Sequence, residues 1–116
     1  MRRDPAKSDR DRLADILGAI EKIGRYTAGG RREFDESELI QSWMVLQLLV
    51  VGEAASGVSQ ALRERHPEIP WRRVVDMRNA MIHGYAYVDF DIVWEVIERE
   101  IPELRARIAR VLEELP

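Results

Sequence analysis

Four residues in the second half of the chain carry the side chains best suited to chemistry: Arg78, Asn79, His83 and Tyr85. Arginine keeps its positive charge throughout the physiological pH range, whereas histidine takes up and releases a proton near neutral pH. Residues four positions apart are neighbours on a helix, so the Asn79 amide could hydrogen-bond one ring nitrogen of His83 and fix which nitrogen faces a substrate. The set indicates a permanent cation near a group that transfers protons.

Arg78 is predicted to lie at the centre of the apolar face of its helix. No acidic residue stands three or four positions away to pair with it. A guanidinium cannot lose its charge and is costly to bury unpaired, so Arg78 requires an anion on another helix, another chain or a ligand. A salt bridge to a glutamate of another helix, or a packed stem whose head reaches water, is the structural alternative. The apolar residues within about 60° of Arg78 on the helical wheel are Trp71, Val74, Val75, Met81 and Ile82.

Arg78 and His83 point about 140° apart on that wheel, which keeps them from meeting on one bound anion if the helix is straight. Either the helix deforms near Gly84, or the helices of two copies face each other and build a shared site, which predicts a symmetric dimer. Tyr85 could project beside His83 with its hydroxyl free. Packing of Tyr85 and Tyr87 over the helix end explains these residues at least as well.

The helix that carries these residues is predicted from Trp71 to about His83. A Pro-rich break at 66–70 precedes it, and the last proline of that break suits the first turn of a helix. Gly84 is placed to end the helix as a left-handed C-cap. His66, the other histidine, lies near a helix C-terminus, where a cation is favoured for structural reasons, and we assign it no chemistry.

Two helices are predicted before this one. The first has apolar side chains at helical spacing between Leu13 and Ile23 and ends at the glycine pair 29–30. The second is predicted to be long, from Asp35 to about Arg65. Around its middle it is apolar on nearly all sides, which fits either the centre of a four-helix bundle or a helix that also contacts a second copy of the chain.

A final helix is predicted to begin at 89–91 and to kink or restart at Pro102. No sustained alternation of apolar and polar residues indicates a strand. We therefore expect an all-α fold, an antiparallel bundle of four to five helices that dimerises. The bundle would occupy residues 9–116, after a disordered leader at residues 1–8.

Composition narrows the class of protein. A chain of 116 residues favours one domain with one core, and the absence of cysteine excludes disulfides, thiolate metal sites and cysteine nucleophiles. The most apolar stretch, 43–51, is shorter than the about 20 residues of a membrane span, and the charged start lacks the apolar run of a signal peptide. A cytoplasmic protein is expected.

The charge of the chain is unevenly distributed. A net charge of −3 argues against a protein that coats nucleic acid by bulk electrostatics. Between Arg63 and His83, however, basic residues outnumber acidic ones, which leaves room for a local basic site.

The run at 78–85, Arg-Asn-Ala-Met-Ile-His-Gly-Tyr, resembles the signature of the HEPN superfamily. In that family a polar residue follows an arginine, a histidine closes the motif a few positions later, and the HepT branch adds a tyrosine two positions beyond. The flanks are similar too: Ile-Pro-Trp-Arg at 69–72, Val-Asp-Phe-Asp-Ile-Val-Trp-Glu at 88–95 and Ile-Pro-Glu-Leu at 101–104. The resemblance covers nearly the whole chain, from about residue 9 to residue 115.

This resemblance implies a dimeric helical bundle that acts as a metal-independent endoribonuclease, with no cofactor and with tRNA as the family-level substrate. Arg78 would stabilise the scissile phosphate, His83 would act as general base or acid, and Asn79 would orient them. Arg72 and Arg73 would bind RNA. Such chemistry needs a ribose 2′-hydroxyl as internal nucleophile, a proton acceptor that titrates near neutrality, and a cation for the developing charge.

The HepT resemblance also implies a toxin–antitoxin pair. The antitoxin would be a nucleotidyltransferase of the MntA type, which transfers AMP to the motif tyrosine, here Tyr85, with Tyr87 as a nearby competitor. The added phosphate would block RNA by bulk and by like charge. The alternative is a non-catalytic nucleotide-binding or adaptor subunit of a nucleotidyltransferase complex, because a fold does not fix a function.

Overall fold

The computed structural model describes residues 7–83 and 88–116, with His83 described by its backbone alone. Most of the expected leader lies outside these residues, as do Gly84, Tyr85 and Tyr87. Within them every regular element is helical, which confirms the all-α prediction. The elements are α1 (Asp9–Gly24), α2 (Gly30–Glu36), α3 (Glu38–Gly57), α4 (Gln60–Arg65), α5 (Trp71–His83), α6 (Phe90–Glu95), a π-helical turn (Val96–Glu100) and α7 (Ile101–Glu114).

Helix α1 begins at a capping box. The Ser8 hydroxyl accepts a hydrogen bond from the Asp11 N–H, and the Asp11 carboxylate accepts one from the Ser8 N–H, both at 3.1 Å. The bond from the Ser8 backbone, followed by that with its side chain, lowers the pKa of Asp11. Because these bonds favour the charged carboxylate, the cap weakens as the pH falls through the pKa of Asp11.

Helices α1 and α3 pack against each other and run antiparallel. Near the end of α1, the Lys22 carbonyl accepts a hydrogen bond of 2.9 Å from Nε1 of Trp43, which lies in the first half of α3. At the opposite end, the Asp9 carboxylate accepts hydrogen bonds from the N–H of Ser59 at 2.8 Å and from its hydroxyl at 2.5 Å. The start of α1 is thus tied to the chain just beyond α3.

The predicted second helix, from Asp35 to about Arg65, is wrong in its bounds. It is interrupted at Val58, which is extended (φ −66°, ψ 140°) and separates α3 from α4. Ser59 caps α4 by accepting a hydrogen bond of 3.2 Å from a backbone N–H of its first turn. Ser59 also binds Asp9 at the start of α1. This contact from a distant helix stabilises the break between α3 and α4, although local helix propensity favours a continuous helix.

The last helical segment passes through α6, the π-helical turn and α7 without a loop. Pro102 lies in the first turn of α7, where a helix accommodates its missing N–H. The sequence predicts a kink or a restart at this residue, and the structure shows a new α-helix that begins at Ile101. Helix α7 packs against α1. The two run antiparallel, since Arg10 at the start of α1 donates hydrogen bonds of 2.9 Å to the carbonyls of Leu115 and Pro116.

Helix α2 was not predicted. It starts at Gly30, whose φ of 77° lies in the left-handed region that favours glycine, and it delivers Phe34 into the core. The Phe34 ring is fully buried, and its centre lies 5.3 Å from that of Trp94 on α6. Other large, fully buried side chains are Leu13, Ile16, Ile23, Met44, Leu48, Val51, Leu62, Ile69, Val93 and Ile108.

Helix α3 is the central element and packs against α1 and α5. Among the described residues it is the one helix long and apolar enough to cross a membrane, judged by length and composition alone. One side of it, including Met44 and Val51, is buried in the core, which is what a central bundle helix requires. Another side leaves Leu46 and Val50 exposed.

Candidate functional site

Helix α5 crosses α3 closely at Gly52. A Cβ atom at this position would lie 2.8 Å from Cγ of Arg78, closer still to its Cβ, and 3.2 Å from the carbonyl oxygen of Val74. A residue without a side chain is what allows the two helices to approach this far. The stem of Arg78 therefore rests on the backbone of α3.

The guanidinium of Arg78 is held by one side chain from α3 and one from α5. Its Nη2 donates to Oε1 of Glu53 at 2.7 Å, and its Nη1 donates to Oδ1 of Asn79. The Arg78 side chain is 14% exposed and that of Glu53 35%, which places the ion pair at the edge of the core, within reach of solvent. The anion that the sequence required is thus a glutamate of another helix, the structural alternative stated above.

The hydrogen-bond partner of the Asn79 side chain differs from the predicted one. The sequence predicts that its amide orients His83, whereas the structure shows its carbonyl oxygen accepting from Arg78. His83 is the last residue of α5, and the contact between its ring and Asn79 stays a prediction. The asparagine of the motif therefore fixes its arginine.

A cleft of about 590 Å³ opens beside Arg78, between α5 and the end of α3. Arg63 lies on its wall, where Nη2 donates to the carbonyl oxygens of Ala55 and Ser56 at 2.8 Å each. These bonds place a cation at the C-terminal end of α3, where the helix dipole favours it. The cleft is lined by Ser56, Arg63, Trp71, Arg72, Val75, Asp76, Arg78 and Asn79.

The two arginines predicted to bind RNA face different surfaces. Arg72 lines the cleft with a side chain that is 95% exposed, and its closest acidic atom is an oxygen of Asp76 at 3.9 Å. Arg73 lies away from the cleft and forms an ion pair of 2.7 Å with Glu100 in the π-helical turn. Only Arg72 is therefore placed with Arg78 on one surface.

A hollow of about 330 Å³ borders the Arg78–Glu53 pair on its other side. Its lining combines Val50 and Ile82, which are 37% and 43% exposed, with the charged residues Lys7, Arg12 and Asp15. Leu46, one turn earlier on α3, is 50% exposed. A charged pair and exposed apolar side chains thus lie next to each other on the same face.

Three residues of the site were not predicted from the sequence: Glu53, which pairs with Arg78, and Ser56 and Arg63, which line the cleft. Glu53 has a recognisable signal, because it is the only charged residue between Glu38 and Arg63. Such an isolated acid in an apolar helix indicates a specific partner. Among residues 7–83 and 88–116, no group of three or more His, Asp or Glu side chains is placed to hold a metal ion.

Residues 16–111 match the family model described as Ribonuclease HepT-like. A relative from Thermococcus cleftensis, named as a probable ribonuclease HepT, is 32% identical over 110 residues that cover 90% of this chain and 96% of the relative. A relative from Caldanaerobacter subterraneus subsp. tengcongensis, named as a predicted RNase, is 32% identical over 108 residues, covering 92% of this chain and 96% of that protein.

A third relative is longer than this chain. It comes from Methanocaldococcus jannaschii, is named as a gamma-glutamylcyclotransferase and predicted RNase, and is 34% identical over 104 residues. The match covers 89% of this chain, which spans 47% of the relative. No solved structure matches the chain significantly. The family model and the two relatives of similar length together establish that the chain belongs to the HepT-like ribonuclease family.

Proposed function

We propose that this protein is a metal-independent endoribonuclease and the toxin of a toxin–antitoxin pair. The observation that supports this most strongly is the Arg78 guanidinium, which is held in a fixed orientation at an open cleft on the helix that ends with His83. A fixed cation and a group that titrates near neutral pH are the two components that RNA cleavage by its own 2′-hydroxyl requires.

The proposed reaction is an internal transesterification. His83 takes the proton of the ribose 2′-hydroxyl, and the 2′-oxygen attacks the adjacent phosphorus. The bond from phosphorus to the 5′-oxygen breaks, and the departing oxygen takes up a proton from water. Arg78 stabilises the additional negative charge on the phosphoryl oxygens in the transition state. The products carry a 2′,3′-cyclic phosphate and a free 5′-hydroxyl.

We place the complete site at the contact between two copies of the chain. Arg78 and His83 stand five positions apart on one helix, a spacing that predicts directions about 140° apart, so a second copy of α5 is the simplest source of the missing group. Val50 and Ile82 line the hollow beside the Arg78–Glu53 pair, and Leu46 is exposed one turn before Val50 on α3. These apolar side chains supply surface that a partner copy would cover.

We expect the purified protein to cleave RNA in the presence of EDTA, and His83→Ala to abolish cleavage because the proton acceptor is lost. The matched control is His66→Ala. Nδ1 of His66 lies 3.3 Å from Oε2 of Glu68, just after α4 and outside the cleft, so the loss of this ring should leave the rate unchanged. Gel analysis of labelled RNA measures both. Cleavage by His83→Ala at the wild-type rate would remove this residue from the mechanism.

We propose that AMP transfer to Tyr85 by a nucleotidyltransferase antitoxin silences the site, since an added phosphate two positions after His83 in the sequence would repel RNA. Incubation with ATP and such an enzyme should add the mass of one or more AMP units. Tyr85→Phe should lose this gain, whereas the matched variant Tyr87→Phe should keep it. Mass spectrometry of the intact protein decides, and labelling that persists in Tyr85→Phe would assign the modification elsewhere.

A further inference from the structure

Glu53 stands out among the residues near the cleft because nothing in the predicted motif includes it. It lies on α3, 25 positions before Arg78, and is the only charged residue in the middle of an apolar helix. A carboxylate in such a position lowers the stability of the helix core unless it has a specific partner. Its partner is Arg78, the residue to which we assign the stabilisation of the scissile phosphate. Oε1 of Glu53 lies 2.7 Å from Nη2 of Arg78.

The position of Glu53 beside Gly52 joins two contacts in one turn of α3. Gly52 lets the Arg78 stem lie against the helix backbone, and the next residue accepts a hydrogen bond from Nη2 of the same side chain. Asn79 accepts from the other terminal nitrogen, Nη1. With its stem and both terminal nitrogens in contact, the planar guanidinium has a defined orientation before any ligand arrives.

Two roles for this carboxylate are physically reasonable. Glu53 could mask the positive charge of Arg78 until RNA displaces it, or it could hold the guanidinium in the orientation that suits the transition state. The closeness of the stem to α3 favours the second role, because the base of the Arg78 side chain is already confined and the carboxylate then fixes the orientation of the guanidinium at its end. A donor that is already oriented requires no rearrangement during the reaction.

We propose that Glu53 is a positioning residue, which acts on RNA cleavage through Arg78 and does not itself touch the reacting atoms. This inference rests on the proposed ribonuclease function. It assigns to α3, which lies outside the sequence motif, a direct part in ordering the site. Gly52 and Glu53 then form one unit, in which the glycine admits the arginine and the glutamate orients it.

The test compares Glu53→Ala and Glu53→Gln with the wild type. Glu53→Ala removes the acceptor, so kcat should fall about 100-fold, the effect of a small misplacement of a catalytic group. Glu53→Gln keeps an oxygen of similar reach but loses the charge, so kcat should fall by about 10-fold or less. KM should change little in either variant. The matched control Glu103→Gln, in a glutamate–arginine pair on α7, should retain the wild-type kcat.

The masking role predicts the opposite change in RNA binding and cleavage. Masking by Glu53 would be revealed if both variants bound RNA more tightly or cleaved it faster than the wild type, which would overturn the proposal. A wild-type kcat in Glu53→Ala would overturn it as well. Thermal unfolding of each variant separates loss of fold from loss of orientation, since Glu53→Gln should unfold within a few degrees of the wild type.

A readout without RNA separates this proposal from the proposed function. In protein with nitrogen-15 labelled arginine, restricted rotation of the Arg78 guanidinium should give resolved Nη signals, assigned by their absence in Arg78→Lys. They should collapse in Glu53→Ala and persist in Glu103→Gln. If the signals collapse in Glu53→Ala but the wild-type protein cleaves no RNA, the contact between Glu53 and Arg78 is supported and the ribonuclease function is refuted. Signals that do not respond to Glu53→Ala would refute the positioning role alone.

Discussion

Mixing Arg78→Ala chains with His83→Ala chains should restore RNA cleavage that neither variant shows alone. If each site takes its arginine from one chain and its histidine from the other, a mixed dimer contains one intact site and one site without either group. Random exchange makes half of the dimers mixed, so the mixture should reach about a quarter of the wild-type rate. Each variant alone should be at least about 100-fold slower than the wild type.

The control for this experiment is a chain that carries both substitutions. In equal mixture with the wild type it forms mixed dimers in which one site lacks Arg78 and the other lacks His83, so only the quarter of dimers that are wild type in both chains should cleave RNA. Sites that lie within single chains would instead leave half of the wild-type rate. The mass of each mixture in solution should be that of a dimer. If the mixture of single variants stays inactive although mixed dimers form, each site lies within one chain, and the helix must deform to bring Arg78 and His83 together.

Replacement of Gly52 by alanine should both destabilise the protein and impair the site. The added methyl group has no room between α3 and the Arg78 stem, so the helices must separate or Arg78 must leave Glu53. Overpacking of this kind costs about 1–3 kcal/mol. We expect a lower midpoint in urea unfolding and a cleavage rate reduced by about 100-fold, because the guanidinium is misplaced.

The matched variant is Gly18→Ala in the middle of α1. A Cβ atom there meets nothing within 4 Å, so the same substitution should stabilise the protein by about 0.5–1 kcal/mol through helix propensity, with no effect on cleavage. Urea unfolding of the two alanine variants side by side gives the comparison. Equal stabilities would show that α3 and α5 are not in close contact at Gly52.

Local signals in the sequence were sufficient for α5 and for the restart of the last helix. Both depend on prolines and periodicity, which act over a few residues. The break after α3 depends instead on Asp9, which binds Ser59 across 50 positions of sequence. No local pattern contains that contact, and the run from Asp35 to Arg65 therefore gave a helix that was too long.

In the site, too, features set by one helix could be predicted from the sequence, whereas contacts between helices could not. The helical wheel predicts that Arg78 needs an anion, because the charge and its apolar surroundings lie on one helix. It cannot choose Glu53 among many glutamates, since that choice depends on which residue of α3 faces Arg78. The helical wheel could not predict the partner of Asn79 either. The Arg78 guanidinium bonds to the next residue in the sequence, whereas helical spacing describes contacts between residues three or four positions apart.

The contact of Arg10 with the carbonyls of Leu115 and Pro116 brings both ends of the bundle to one place. A bundle with adjacent ends can be circularly permuted: a short linker would join residue 116 to residue 8, and new ends could open in the turn between α1 and α2. That turn belongs to neither the cleft nor the α3–α5 crossing. The order of the helices along the chain is thus separable from the arrangement that holds Arg78 in place.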